Sequence, residues 1–182
     1  MKYEMKQHCL CAMLEEDDGM DLLQLFKLQK ELDDHITKEH DLQPKKLLKE
    51  KMLALLVEIG ELANETRCFK YWSTKPASER EVILEEYVDG LHFILSIGID
   101  LGIDKNFLFY KCAQTNKTQV ESFLDTYAKV IRFTDQPSIT NYIELFTSYL
   151  RLGQVLEFSQ EEIEKAYLDK NKVNHQRQTQ GY

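Results

Sequence analysis

Proline is rare in this sequence, cysteine is unpatterned, basic residues are outnumbered and long apolar runs are missing. Each shortage excludes something. The three prolines, Pro44, Pro76 and Pro137, fall between periodic segments, where they break no helix. No apolar run approaches the ~20 residues of a membrane-spanning helix. The N-terminal stretch MKYEMKQHCLCAMLEEDDGM is too charged and too short of apolar length for a secretory signal. The expected location is therefore cytoplasmic, with no membrane partner. The four cysteines, Cys9, Cys11, Cys68 and Cys112, contain no C-x-x-C pair. HCLC lacks a second ligand pair for zinc, so free thiols are expected. With 31 acidic residues against 23 basic ones and a net charge of −8, broad nucleic-acid binding is not expected. A phosphorylated small molecule stays possible, because cations can neutralise a carboxylate cluster.

Strand-like alternation is nowhere sustained and no internal repeat is visible. What is present is helical periodicity. A length of 182 residues fits one domain with a sizeable core. Leu22, Leu25, Phe26, Leu28 and Leu32 are spaced for the core face of a first helix over 21–36. A second runs over 44–66. A third starts near Ser78, where SERE reads as a capping box, and ends by Gly102. A fourth covers 104–131 and a fifth 138–152. A sixth begins at Ser159, where SQEE is another capping box, and continues to about 172. The tail VNHQRQTQGY reads as irregular. The expectation is a single all-α domain over 1–182 with bundle-like packing, residues 1–20 forming an N-terminal extension of unassigned role.

The second helix carries EIGELANE, Glu58 to Glu65, directly after the apolar run MLALLV. At about 100° per residue, Glu58, Glu61 and Glu65 lie at roughly 0°, 300° and 340° on one stripe, shared with Ala54, Leu55 and Leu62. Like charges at this spacing repel, and on an apolar face they also lose hydration. A solvated acidic edge is the plain reading. The third helix changes the balance, because EEYVDGLHFILSIGI places Glu86 and Asp89 three residues apart on a side shared with Val82, Ile83 and Phe93. Both motifs contain an interior glycine, Gly60 and Gly90, a residue that often admits close approach of another group. Two such helices facing each other gather four carboxylates. Without cations, such a pocket would take up protons. All-oxygen ligands suit Mg²⁺ or Mn²⁺. A di-iron carboxylate site would need two Glu-x-x-His pairs, and DGLH, Asp89 to His92, is a single approximate copy. His92 by itself reads as a hydrogen-bonded core histidine.

These residues resemble the dimeric all-α dUTPases, within the all-α nucleoside triphosphate pyrophosphohydrolase (MazG-like) superfamily, whose signature is E-x-x-E followed by E-x-x-D. Here it is Glu58, Glu61, Glu86 and Asp89. LQKELDD, Leu28 to Asp34, is similar to the family's LQ..LN motif, with Asp33 where asparagine is usual. FKYWS, DGLHFILSIGI and KNKVNHQRQTQGY resemble further family segments, and together they cover most of 21–182. The resemblance implies hydrolysis of dUTP, and of dUDP, by water attacking the α-phosphate. It implies Mg²⁺, with Mn²⁺ as a substitute, on Glu58, Glu61, Glu86 and Asp89, and Glu61 or Glu58 as the base. Gln29, Trp72 and His92 would hold the uracil. Lys170, Asn174 and Arg177, in a phosphate-contacting segment over 170–182, would face the triphosphate. Lys105 and Asn106 are lesser candidates for sugar or phosphate contact. A homodimer is implied. Two alternatives stay open, a related pyrophosphohydrolase preferring another base such as that of dCTP, and a non-enzymatic helical interaction module. Without the resemblance, the single Trp72 of a helical domain reads as a core residue, and the basic tail reads equally as a frayed terminus.

Overall fold

The structure is a computed structural model that describes residues 20–42, 47–103 and 115–181. Pro44, Lys105, Asn106, Cys9, Cys11, Cys112, Tyr182 and the first nineteen residues lie outside the described residues. Every regular element among the described residues is an α-helix: α1 Leu22–Glu39, α2 Leu48–Thr66, α3 Arg80–Asp100, α4 Gln119–Asp135, α5 Ile139–Val155 and α6 Gln160–Thr179. None is long and apolar enough to cross a membrane. The all-α expectation holds.

The helix starts follow from side-chain caps. Asp21 accepts from Gln24 N at the head of α1, and Ser138 accepts from Asn141 N at α5. Ser159 and Glu162 form the expected capping box of α6. Most boundaries differ from the sequence reading by a few residues, and three of the differences have a visible cause. Helix α4 begins at Gln119, behind a capping box of Thr118 and Glu121, because that box satisfies the first-turn amides there. Helix α3 begins at Arg80 with no side-chain cap. Ser78 instead ties the inter-helix loop to α2, its hydroxyl donating to the Glu65 carboxylate and its amide to Glu65 O at 3.0 Å. Helix α6 runs on through the tail to Thr179, since Tyr167 and Asn171 are buried, His175 bonds to His35 of α1 and Gln178 bonds to His40, the C-cap of α1.

Helix α3 is the axis of the bundle. It packs against α1, α2, α5 and α6, while α4 covers α2 and α5. Residues Leu91, Ile94, Leu95 and Ile97 are wholly buried. Its junction with α5 is made by tyrosines seated on glycines. Tyr87 and Tyr149 stack with centroids 4.7 Å apart, and each hydroxyl donates to the other's backbone carbonyl, at 3.3 Å from Tyr87 and 2.6 Å from Tyr149. A methyl group on Gly90 would lie 2.9 Å from Tyr149 Cζ, and one on Gly153 would lie 2.8 Å from Tyr87 Cζ. The close approach anticipated at Gly90 is thus an intramolecular ring. Gly60 meets only the Tyr127 hydroxyl, at 3.3 Å.

Candidate active site

Helices α1, α2, α3 and α6 enclose a cavity of about 690 Å³. The pairing of α2 with α3 sets its acidic wall. One carboxylate oxygen from each of Glu58, Glu86 and Asp89 lies within 4.8 Å of the others, with all three side chains partly buried. Facing them, α6 contributes Lys170, Asn174 and Arg177 to the lining. Lys170 Nζ donates to Asp89 Oδ2 at 2.6 Å and to Glu85 Oε1 at 2.7 Å.

The electrostatics of this wall are those of a cluster short of positive charge. Burial first, then the carboxylates of Asp89, Glu61 and Glu86, push Glu58 up to about 7. Burial, with Asp89 and Glu61, raises Glu86 as well. Burial raises Asp89 despite its bond to Lys170. Burial alone would pull the Lys170 ammonium down, but its bonds to Asp89 and Glu85 prevail and raise it. Three converging hard oxygen donors, whose protonated forms are favoured by burial first and by neighbouring carboxylates second, fit a divalent cation of the Mg²⁺ or Mn²⁺ type. Glu61 is exposed and stands outside the close trio, within coulombic reach of Glu58 and Glu86. Glu65, on the same stripe, is engaged by Ser78 and Asn64 and does not join them.

The opposite wall is a hydrogen-bond relay. Gln29 Nε2 donates to Asp33 Oδ1 at 2.8 Å, and Ser96 Oγ donates to Asp33 Oδ2 at 2.6 Å. Gln29 Oε1 then accepts from the Tyr167 hydroxyl at 2.9 Å and faces His92 Nδ1 at 2.7 Å. Because an ionised Asp33 can only accept, the Gln29 amide group must face it. Gln29 Oε1 is consequently the acceptor for Nδ1–H of His92. His92 is 6% exposed and stacks on Tyr167 at 4.2 Å. Burial, aided by Lys170, lowers its pKa to about 3, so the ring is neutral. The plain reading of His92 as a hydrogen-bonded core histidine is correct, although it also lines the cavity.

Of the residues expected at the site, Gln29, Glu58, Asp89, His92, Lys170, Asn174 and Arg177 all line this cavity, and Glu86 joins through the trio. Trp72 does not line it. It is neither core nor cavity wall: it is 66% exposed in the loop after α2, packed edge-on to Tyr71 and Phe69. The sequence marks Asp33 only by its departure from the usual asparagine, and it assigns no role to Ser96, to Tyr167 or to the Lys51–Asp100 pair, 2.7 Å apart. A signal existed for two of them. Gln29 with Asp33, and His92 with Ser96, are i,i+4 pairs that put polar groups on one face of each helix.

A family model described as dUTPase matches residues 21–182, nearly the whole chain. No curated protein matches it.

Proposed function

The chain belongs to the dUTPase family and is a dUTP diphosphatase, and on that premise we propose a divalent-metal mechanism run by the carboxylate cluster. Glu58, Glu86 and Asp89 would hold Mg²⁺, with Mn²⁺ as a substitute. The convergence of their oxygens within 4.8 Å is the observation that carries this reading. Glu61 extends the ligand set from the next turn of α2. A cation held there would supply charge to polarise the phosphate oxygens and acidify the attacking water.

The rest of the mechanism belongs to side chains. Water attacks the α-phosphorus, the bond to the bridging oxygen breaks, and pyrophosphate leaves with that oxygen. Glu61, outside the close trio, takes the proton of the attacking water, with Glu58 as the second candidate. Lys170, Arg177 and Asn174, in the segment from Lys170 onward, meet the phosphates. Arg177 suits bidentate contact with the departing group. Gln29 and His92 hold the base end, their hydrogens fixed by Asp33. dUDP reacts in the same way, yielding dUMP and phosphate. Trp72 reaches a nucleoside only if its loop moves toward the cavity. The neighbouring helices α2 and α4 expose Leu53, Val57, Leu124 and Ile131 at 64, 49, 64 and 54%. These pair two copies as a homodimer.

The test is product release from dUTP with Mg²⁺, with Mn²⁺ and with chelator, run in ¹⁸O water. Label in dUMP, and loss of turnover with chelator, are expected. Turnover that survives chelation sinks the metal assignment, and preferential hydrolysis of dCTP sinks the base assignment.

A further inference from the structure

A lysine already occupies part of the acidic cluster. The Lys170 side chain is 12% exposed, and its ammonium sits 2.6 Å from Asp89 Oδ2. Glu85, outside the trio, anchors the same ammonium at 2.7 Å. Asp89 is thereby shared between a resident cation and the set of oxygens that converge with Glu58 and Glu86. A carboxylate that accepts a charge-assisted hydrogen bond is a poorer ligand for a second cation, and two positive charges on one carboxylate repel. The lysine's four-carbon stem lets its ammonium move without moving α6. Asn174 and Arg177, one and two turns further along α6, line the same cavity, so an anion received there lies within the reach of this helix face.

We infer that Lys170 is an internal competitor for the metal, and that a triphosphate releases it. In the free enzyme Lys170 clamps Asp89 and weakens metal binding. Phosphate oxygens offer the ammonium another partner, Asp89 is freed, and the ligand set is complete. Metal and nucleotide then bind with positive coupling, each strengthening the other by the same factor. The device rests on the metal reading proposed above, and it adds that the chain's own cation gates that site.

Mn²⁺ titration followed by electron paramagnetic resonance tests it on the full chain, with and without a non-hydrolysable α,β-imido analogue of dUTP. Lys170→Met, and Lys170→Gln as a second variant, should bind Mn²⁺ alone at least about fivefold tighter than the parent. The gain in Mn²⁺ affinity produced by the analogue should shrink by a similar factor. Lys172→Gln removes an equal charge from the same helix, but that side chain is 71% exposed and pairs with Asp169, so Mn²⁺ affinity should hold. Unchanged or weaker Mn²⁺ binding in both Lys170 variants overturns the competition. Glu58→Gln, run in parallel, separates the two ideas. Its loss of Mn²⁺ binding upholds the metal site whatever Lys170 does, whereas binding as in the parent removes the metal site and the clamp together.

Discussion

Two neighbouring stripes of α3 follow opposite rules. One carries Tyr87, Gly90, Ile94 and Gly98 and is closed against α5, every hydroxyl on it finding a carbonyl and every glycine a ring. The other carries Glu86 and Asp89, which burial and like charge push toward protonation. The first stripe is satisfied by the chain alone. The second is satisfied by the chain only in part, through Lys170 on Asp89. Residues that lower the free energy of the fold and residues that wait for a ligand are thus one or two positions apart in sequence. Their physical signatures separate them: saturated contacts on one side, frustrated charge on the other.

The sharpest way to separate the stripes is through activity. Glu58→Gln or Asp89→Asn should reduce dUTP turnover at least about a hundredfold, measured as pyrophosphate release, while urea unfolding of the metal-free protein shows no loss of stability for Glu58→Gln. A strongly destabilised Glu58→Gln would mean that this stripe too serves the fold.

The converse probe is Gly90→Ala. The added methyl meets a Tyr149 ring pinned by stacking and by a 2.6 Å bond. The expected cost is about 1–3 kcal/mol in urea unfolding. Gly60→Ala, on the acidic helix, meets only the end of Tyr127. It should be neutral or stabilising by up to ~1 kcal/mol through helix propensity. Equal costs at the two glycines would erase the contrast.

Smaller still is a pH effect. Glu58 rises from 4.5 to about 7 in the folded state, so between those values the folded protein binds a proton that the unfolded chain has released. Its contribution to stability is therefore present at low pH and lost as pH rises through that window. Glutamine imitates the protonated form. With chelator present, Tm of Glu58→Gln should approach that of the parent near about pH 5 and exceed it near about pH 8. Mg²⁺ at the higher pH should raise Tm in the parent alone. A constant gap across the range would show that Glu58 is not the strained carboxylate.

The smallest effect belongs to the exposed aromatic loop. Trp72→Ala should alter unfolding stability by no more than about 0.5 kcal/mol. As the single tryptophan, Trp72 also reports directly. Quenching of its emission by uracil nucleotides would bring the loop to the base, and an unchanged spectrum would leave it a surface feature.

Much of this was legible in the residues. The all-α class followed from periodicity and from prolines confined to the gaps. The acidic site followed from two carboxylate pairs, each laid on a leucine-rich stripe, because hydrated charges do not ordinarily occupy such positions. The capping box at Ser159 marked its helix for a local reason, since Ser159 and Glu162 satisfy each other within one turn. SERE failed at Ser78 because a tertiary partner, Glu65, took the serine. The tail read as irregular because its helical state depends on α1, through His35 with His175 and His40 with Gln178. Asp33 looked like a conservative exchange, and its role became visible only with Ser96 and Gln29 around it.

What the sequence determined by itself is therefore what short range governs: the helical class, the capping box at Ser159, the spacing that puts Glu58 with Glu61 and Glu86 with Asp89 on single stripes. Tertiary structure decided which of these groups meet. It brought Glu58, Glu86 and Asp89 together and left Glu61 outside, because oxygens within 4.8 Å require two helices at a particular rotation. It placed Lys170 on Asp89 and kept Trp72 off the cavity wall, since no periodicity within one helix specifies the surface of another.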